Sequence, residues 1–350
     1  MITVVQSGPR VVSDLGVRLR VFEAEMLSKH FDGATVMFFE EFDSEAMKAN
    51  ADYYYWRPNS EKTTASELEG WKKKAHRYWN KKHINNPKNW HNMHCKDEAF
   101  KVWKSIGVPC PDYCIFNSRG DFHSWWDGEY PILLRLNNHS GGECTYFVDS
   151  SASLDTGLSK LDYDFKHKNI GLGSKKMAVK FIDNDIDGHK WSFRIIVAGN
   201  MVVTGYARLS DDWCAITKFF KKGMEDTFVR ANEACEDFCN DWTELIVKAV
   251  HSLGLNFQGV DVILDKQGNP YFIEVQSAFS VGYANDRGWN PPFYNPSQPE
   301  ELVKFLKLNK ESLEKIIPMY YNNWLDKERL FDLSFESLRR YLDEEKITNS

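Results

Sequence analysis

The stretch GVDVILDKQGNPYFIEVQS, residues 259–277, decides how this chain is read. Two runs of alternating character, VDVILD and PYFIEVQ, flank KQGN, a turn signal between strands. With KQGN as a four-residue hairpin loop, Asp265 stands opposite Pro270 and Asp261 opposite Glu274. Strand alternation puts Gln276 on the same face as Glu274. The hairpin thus gathers two carboxylates and an amide oxygen in one patch, while Val262, Leu264, Ile273 and Val275 form a core-like opposite face. Like charges directly opposed destabilise a sheet, so the pair needs compensation. A divalent cation can supply it, and oxygen-only ligands favour Mg²⁺ over zinc. Water between the charges, or a salt bridge to a nearby Lys or Arg, is the alternative.

Outward from the hairpin, the pattern is mixed α and β. ITVV (2–5) and ATVMFF (34–39) have strand length, with Leu19, Phe22, Met26 and Leu27 at helical spacing between them. This predicts a small α/β unit at the N-terminus. Residues 57–94 are polar and basic, with Lys72, Lys73, Lys74 and Arg77 suiting a solvated helix face better than a phosphate patch. A helix from Lys96 carries Phe100, Trp103 and Ile106, stops at Gly107 and cannot resume across Pro109 and Pro111. Strands follow at 113–116, 131–136 and 146–148, and three more across 177–209, the last two turning at Gly199-Asn200. Residues 224–253 read as one helix with Cys235, Phe238, Cys239, Trp242, Leu245, Ile246, Ala249 and Val250 on its apolar face. A Pro-rich aromatic loop (285–299) precedes a helical tail, which could dock on its own chain or on a partner.

Composition bounds the function. The 350 residues are 42% hydrophobic and 27% charged, enough apolar content for a core and too much for general disorder. No apolar run nears the ~18 residues of a membrane span. MITVVQSGPR lacks the flanks of a secretory signal, and a net charge of −6 argues against a nucleic-acid partner. Seven scattered cysteines do not form a disulfide framework, so a cytoplasmic setting is expected. His91, His94 and Cys95, with Cys110 and Cys114, have the wrong spacings for a zinc finger. The aromatic wealth is expected mainly in the core, although Tyr53, Tyr54, Tyr55 and Trp56 would also suit a wall for a sugar, amino acid or peptide. There is no Walker loop, no G-x-S-x-G elbow and no G-x-G-x-x-G after a strand.

At this point the chain resembles a family. Asp261, Glu274 and Gln276 match the spacing of the Mg²⁺-binding Asp, Glu and Asn of the ATP-grasp superfamily, with Gln in the usual Asn position. KDEAFKVWKSIGVPCPDY resembles the helix that opens the central subdomain of these proteins. YPILLRLNNHSGGECTYFV resembles their phosphate-binding strand and glycine loop, with Arg135 where Lys is usual. AVKFID resembles the hinge strand over adenine, and WSFRIIVAGNMVVTGYAR is similar to a strand pair of the RimK-like ligases. The resemblance covers residues 95–282, and residues 1–94 only in their α/β character.

That resemblance implies an α/β (α+β) ATP-grasp fold, two subdomains gripping ATP. The expected units are residues 1–94, a central subdomain 95–215, a C-terminal subdomain 216–300 with the hairpin, and a tail 301–350. It implies ATP and one or two Mg²⁺, or Mn²⁺ in their place. Asp261, Glu274 and Gln276 are assigned to metal, and Arg135, Ser140, Gly141 and Gly142 to phosphates. Lys180, Phe181 and Ile182 are assigned to adenine, and Asp187 to ribose. Arg194 and Arg208 would stabilise developing negative charge, and Arg287, with Trp289 and Phe293 as walls, would hold a substrate carboxylate. The implied activity is a carboxylate–amine ligase working through an acylphosphate, with small-molecule or peptide acids and amines as partners. A kinase-like phosphotransferase and a non-catalytic nucleotide-binding scaffold are the alternatives. Neither nucleic acid nor membrane is an expected partner, and a homodimer is open to it.

Overall fold

The computed structural model describes residues 1–6, 26–39, 42, 51–57, 64–139, 142–168, 172–186, 188–210, 212–213, 225–276 and 327–348. Strands β1 (Ile2–Gln6), β2 (Ala34–Phe38), β3 (Tyr53–Arg57) and β4 (Lys82–Ile84) form a parallel sheet in the order β2-β1-β3-β4. A parallel sheet needs cover on both faces, and the run of aromatics on β3 supplies it. Tyr54 and Trp56 enter a cluster with Phe42, Trp71 and Trp90; Tyr53 and Tyr55 enter another with Leu27, Phe31 and Phe335. All four β3 aromatics are at most 5% exposed. Tyr54, Tyr55 and Trp56 are core, so they cannot wall an acceptor site; Tyr53 alone borders a surface cleft, with Lys82, Arg339 and Asp343.

The helix Ala65–His76 follows a capping box in which Thr64 and Glu67 satisfy each other's backbone N–H. It buries Leu68, Trp71 and Ala75, which turns Lys73 outward as a solvated face. The helix Lys96–Ile106 ends at Gly107 in the left-handed conformation, φ +75°.

A second, antiparallel sheet contains β5 (Tyr113–Ile115), β6 (Ile132–Leu136), β7 (Thr145–Val148) and β8 (Lys176–Lys180), ordered β5-β8-β6-β7. The helix Ser151–His167 covers it with Leu154, Leu158 and Leu161. The third sheet contains β9 (Asp185–Ile186), β10 (His189–Ala198), β11 (Met201–Ser210), β12 (Phe257–Leu264) and β13 (Pro270–Gln276). Its order is β11-β10-β12-β13, with β9 on β10. Because β10 pairs with both β11 and β12, this sheet draws strands from both sides of residue 215.

Cys235, Phe238, Cys239, Ile246, Ala249 and Val250 back the third sheet, as their spacing predicts. The single helix expected over 224–253 is instead two, Glu225–Asp241 and Thr243–His251. At Trp242 the backbone leaves the helical region (φ −116°), and the Thr243 hydroxyl donates back to the Cys239 carbonyl, which bends helices. The C-terminal helix Lys327–Thr348 docks on its own chain: Leu330, Phe335, Leu338 and Leu342 pack with Ile196, Ala198 and Phe257.

Candidate functional site

The hairpin of β12 and β13 forms, with one correction to its register. Leu264, not Asp265, stands opposite Pro270, and Val262 stands opposite Phe272. A bulge between Asp261 and Val262 then restores the expected pairing of Asp261 with Glu274. The cause is local to the turn. The Asp265 carboxylate accepts from the Gln267 and Asn269 N–H groups at 2.9 and 2.8 Å, and Gly268 takes φ +81°. Asp265 therefore belongs to the loop, and the bulge absorbs the extra residue. One consequence is that Phe272, rather than Ile273, shares the core face with Val275.

Asp261 and Glu274 are thus neighbours at the end of the third sheet, and the Gln276 amide donates to Glu274 Oε1. Side-chain cations compensate the paired charge. Arg194, on β10 opposite Asp261, donates from Nε to Asp261 Oδ1 and from Nη2 to Oδ2 at 2.8 Å. Arg208 on β11 brings Nη2 to 2.9 Å from Oδ2. Lys96 brings Nζ to 2.6 Å from Glu274 Oε2. Burial alone would raise the Glu274 carboxyl, but the charges of Lys96, Arg135 and Arg194 outweigh it and hold the group well below the carboxylate range. Burial and the Arg135 charge lower Lys96, against the opposing pull of Glu274.

Lys96 is the residue the sequence analysis missed. A signal for it exists: it opens a helix directly before Asp97 and Glu98, where the helix dipole disfavours a cation, so another interaction must hold it there. Its ammonium also donates to the His139 carbonyl at 2.9 Å, the same oxygen that accepts from Arg135 Nη2 at 2.9 Å. One carbonyl after β6 therefore gathers two cations beside Glu274.

The joint is fixed by a partly buried polar network. The Asn137 amide donates to Asp97 at 2.6 Å and accepts from the Lys175 N–H at 2.8 Å, while Lys175 Nζ donates to Asp97 at 2.6 Å. The Lys96 N–H donates to the Asn137 carbonyl at 3.1 Å.

The remaining assigned residues form a separate group. Lys180 Nζ pairs with Asp127, with Glu129 at 3.6 Å. Phe181 meets Phe147 edge-on at 5.1 Å, and Phe147 lies parallel to Trp213 at 6.0 Å. Ile182 is half-buried. Asp183 crosses to the third sheet: its carboxylate is 2.6 Å from Lys266 and 3.0 Å from Lys190, and the hydrogen bond from Lys266 brings it down to about 2. Gly142 takes φ +74° in the loop after β6. Ser140, Gly141, Asp187, Arg287, Trp289 and Phe293 lie outside the described residues.

No family model matches the sequence, and no curated protein does. Solved structures match in shape. D-alanine–D-alanine ligase from Bacillus anthracis superposes at a TM-score of 0.50 with 13% identity, over 91% of this chain and 97% of that one. N5-carboxyaminoimidazole synthetase from Staphylococcus aureus, in complex with ADP, gives 0.52 with 11% identity over 82% and 72%. The ATP-grasp ligase PsnB, in complex with a minimal precursor, gives 0.50 with 13% identity over 82% and 92%.

Proposed function

This chain has the ATP-grasp fold, and from that premise we propose that it is an ATP-dependent carboxylate–amine ligase. The observation that carries the reading is the constellation at the joint of the second and third sheets: Asp261, Glu274 and Gln276, with Lys96, Arg135, Arg194 and Arg208 around them.

The residues fit a metal–polyphosphate. An ionised carboxylate offers about four lone-pair sites. Glu274 spends one on Lys96 and one on Gln276, so it retains acceptor capacity for a divalent cation. Gln276 donates through its NH₂, which leaves its carbonyl oxygen as a further ligand. Asp261 accepts two hydrogen bonds from Arg194 and pairs with Arg208 at 2.9 Å, so it contributes at most one site more. Glu274 and Gln276 would therefore be the stronger Mg²⁺ ligands and Asp261 the weaker.

Of the three Lys96 donors, two are used by Glu274 and His139, and the third would meet a phosphate. Arg135 would meet the phosphate chain from the same side. Among the described residues, Arg208 Nε is buried with no hydrogen-bond partner. A buried donor of this kind is costly until it is filled, and it would take negative charge developing on the transferring group. Bound ATP would supply the phosphoryl group that activates a carboxylate toward an amine, with Mg²⁺ neutralising charge on the phosphates. Gly142 with Ser140 and Gly141 would close over the phosphates, Lys180, Phe181 and Ile182 would line adenine with Asp187 on the ribose, and Arg287 would orient the acid.

The test is ATP turnover against pools of carboxylic acids and amines. ADP and inorganic phosphate are expected in equal amounts, and only with both substrate classes present. ADP without free phosphate from a single acceptor would replace the ligase with a phosphotransferase. Thermal stabilisation by ATP·Mg²⁺ without hydrolysis in any pool would leave a nucleotide-binding scaffold.

A further inference from the structure

The segment between β6 and β7 carries three side chains that the proposed reaction does not use. His139, Glu143 and Cys144 bring one imidazole nitrogen, one carboxylate oxygen and one sulfur within 4.8 Å of one another. We propose that these three residues form a binding site for a borderline-soft divalent transition metal, Zn²⁺ being the ion their donor set selects.

The donor set comes first. Nitrogen, oxygen and sulfur together suit zinc, whereas Mg²⁺ and Ca²⁺ take oxygen alone. The Glu274 patch and this cluster therefore differ in the ions they would accept.

The imidazole is already oriented. His139 Nε2 lies 3.1 Å from the Lys168 carbonyl, and a carbonyl can only accept, so Nε2 carries the proton. A neutral ring then has its lone pair at Nδ1, the nitrogen 3.8 Å from Glu143 Oε2. A metal-binding histidine is held in this way, its second nitrogen donating to a carbonyl or carboxylate. The His139 side chain is 2% exposed, so its orientation is set by the fold and not by solvent.

The thiol has a comparable shell. Cys144 is 5% exposed and lies beside the buried Asp164. Asp164 accepts from the Tyr146 hydroxyl and lies 3.2 Å from Lys168 Nζ. When the thiol proton leaves, Asp164 keeps those two partners, so no buried carboxylate is stranded. Lys168 thus serves both ligands, through its carbonyl to His139 and its ammonium to Asp164. Cys144 also holds φ +51°, a left-handed conformation that glycine or asparagine adopts at lower cost. Backbone preference therefore does not account for a cysteine at this position.

Closure requires a small contraction. Zn–S and Zn–N bonds of about 2.3 and 2.1 Å in a tetrahedron place the two ligand atoms roughly 3.6 Å apart. Glu143, 64% exposed along its side chain, can swing in to complete the set, and water would take the fourth position. Binding breaks the Cys144 S–H bond, forms a Zn–S bond and releases one proton to solvent. A protonated His139 paired with Glu143 would use two of these groups but leave the thiol out, and that difference makes the proposal testable.

The 350-residue chain, stripped with chelator, is titrated with Co²⁺ and then with Zn²⁺. The expected result is one equivalent of Co²⁺ with thiolate-to-metal charge transfer and tetrahedral d–d bands, all displaced by Zn²⁺. Cys144→Ser should abolish the charge-transfer band. Glu143→Ala, an exposed change that spares the fold, should weaken binding about tenfold or more. Cys110→Ser should leave the spectrum unchanged. Absence of the band in the parent protein, its persistence in Cys144→Ser, its loss in Cys110→Ser, or equal affinity in Glu143→Ala would overturn the site.

Discussion

Glu274 and Lys96 are separated by about half of the chain yet share a buried ion pair at 2.6 Å. Removing one member strands the other: Glu274→Ala is expected to cost about 3–5 kcal/mol, because an ammonium only 8% exposed loses its carboxylate. The double variant Lys96→Met, Glu274→Met should cost clearly less than the sum of the single changes, since no lone charge remains. Urea midpoints of the four proteins measure this, and single variants within about 1 kcal/mol of the parent would show that the pair is not buried as described. Asp261, Glu274 and Gln276 were readable because a hairpin is local and alternation fixes its faces. Their cationic partners come from three other elements, and a linear pattern does not record those contacts.

At the scale of elements, the third sheet and its backing helices meet at Gly205. A Cβ at this position would lie 2.8 Å from the Cys239 sulfur and 2.9 Å from the Cys235 sulfur. Gly205→Ala should therefore destabilise by about 1–3 kcal/mol through overpacking. The double change with Cys239→Ala should show favourable coupling, because it removes the nearer of the two sulfurs. Thermal unfolding of the single and double variants decides it; a Gly205→Ala protein as stable as its parent would mean that the helix can retreat. The cysteines were expected in the core from their helical spacing. The break at Trp242 was not, because it depends on a hydroxyl bonding to the backbone one turn earlier. The helix Ser151–His167 was also missed: its apolar face rests on Leu154, Leu158 and Leu161, spaced among polar residues that resemble a loop. The hairpin bulge escaped for a similar reason, since the Asp265 side chain sets the turn length.

For the whole molecule, the C-terminal helix and the first strand share one cluster. Phe335 is fully buried among Ile2, Val4, Tyr53, Ile196, Ala198 and Phe257. Phe335→Ala should cost about 3–5 kcal/mol and lower the melting temperature of the parallel sheet and the third sheet together. Far-ultraviolet circular dichroism and tryptophan fluorescence should report one shifted transition; loss of helix signal alone, with the rest melting as before, would make the tail an appendage. The sequence by itself determined the mixed α/β class, most strand positions and the acidic hairpin, because periodicity and turn chemistry act over a few neighbouring residues. Only the tertiary structure decided that Tyr54, Tyr55 and Trp56 are core, that the tail closes on its own chain, and that Lys96 and Arg135 share the His139 carbonyl beside Glu274. Those outcomes depend on which surfaces meet after the chain has collapsed, and burial and charge pairing between distant residues carry no periodic trace.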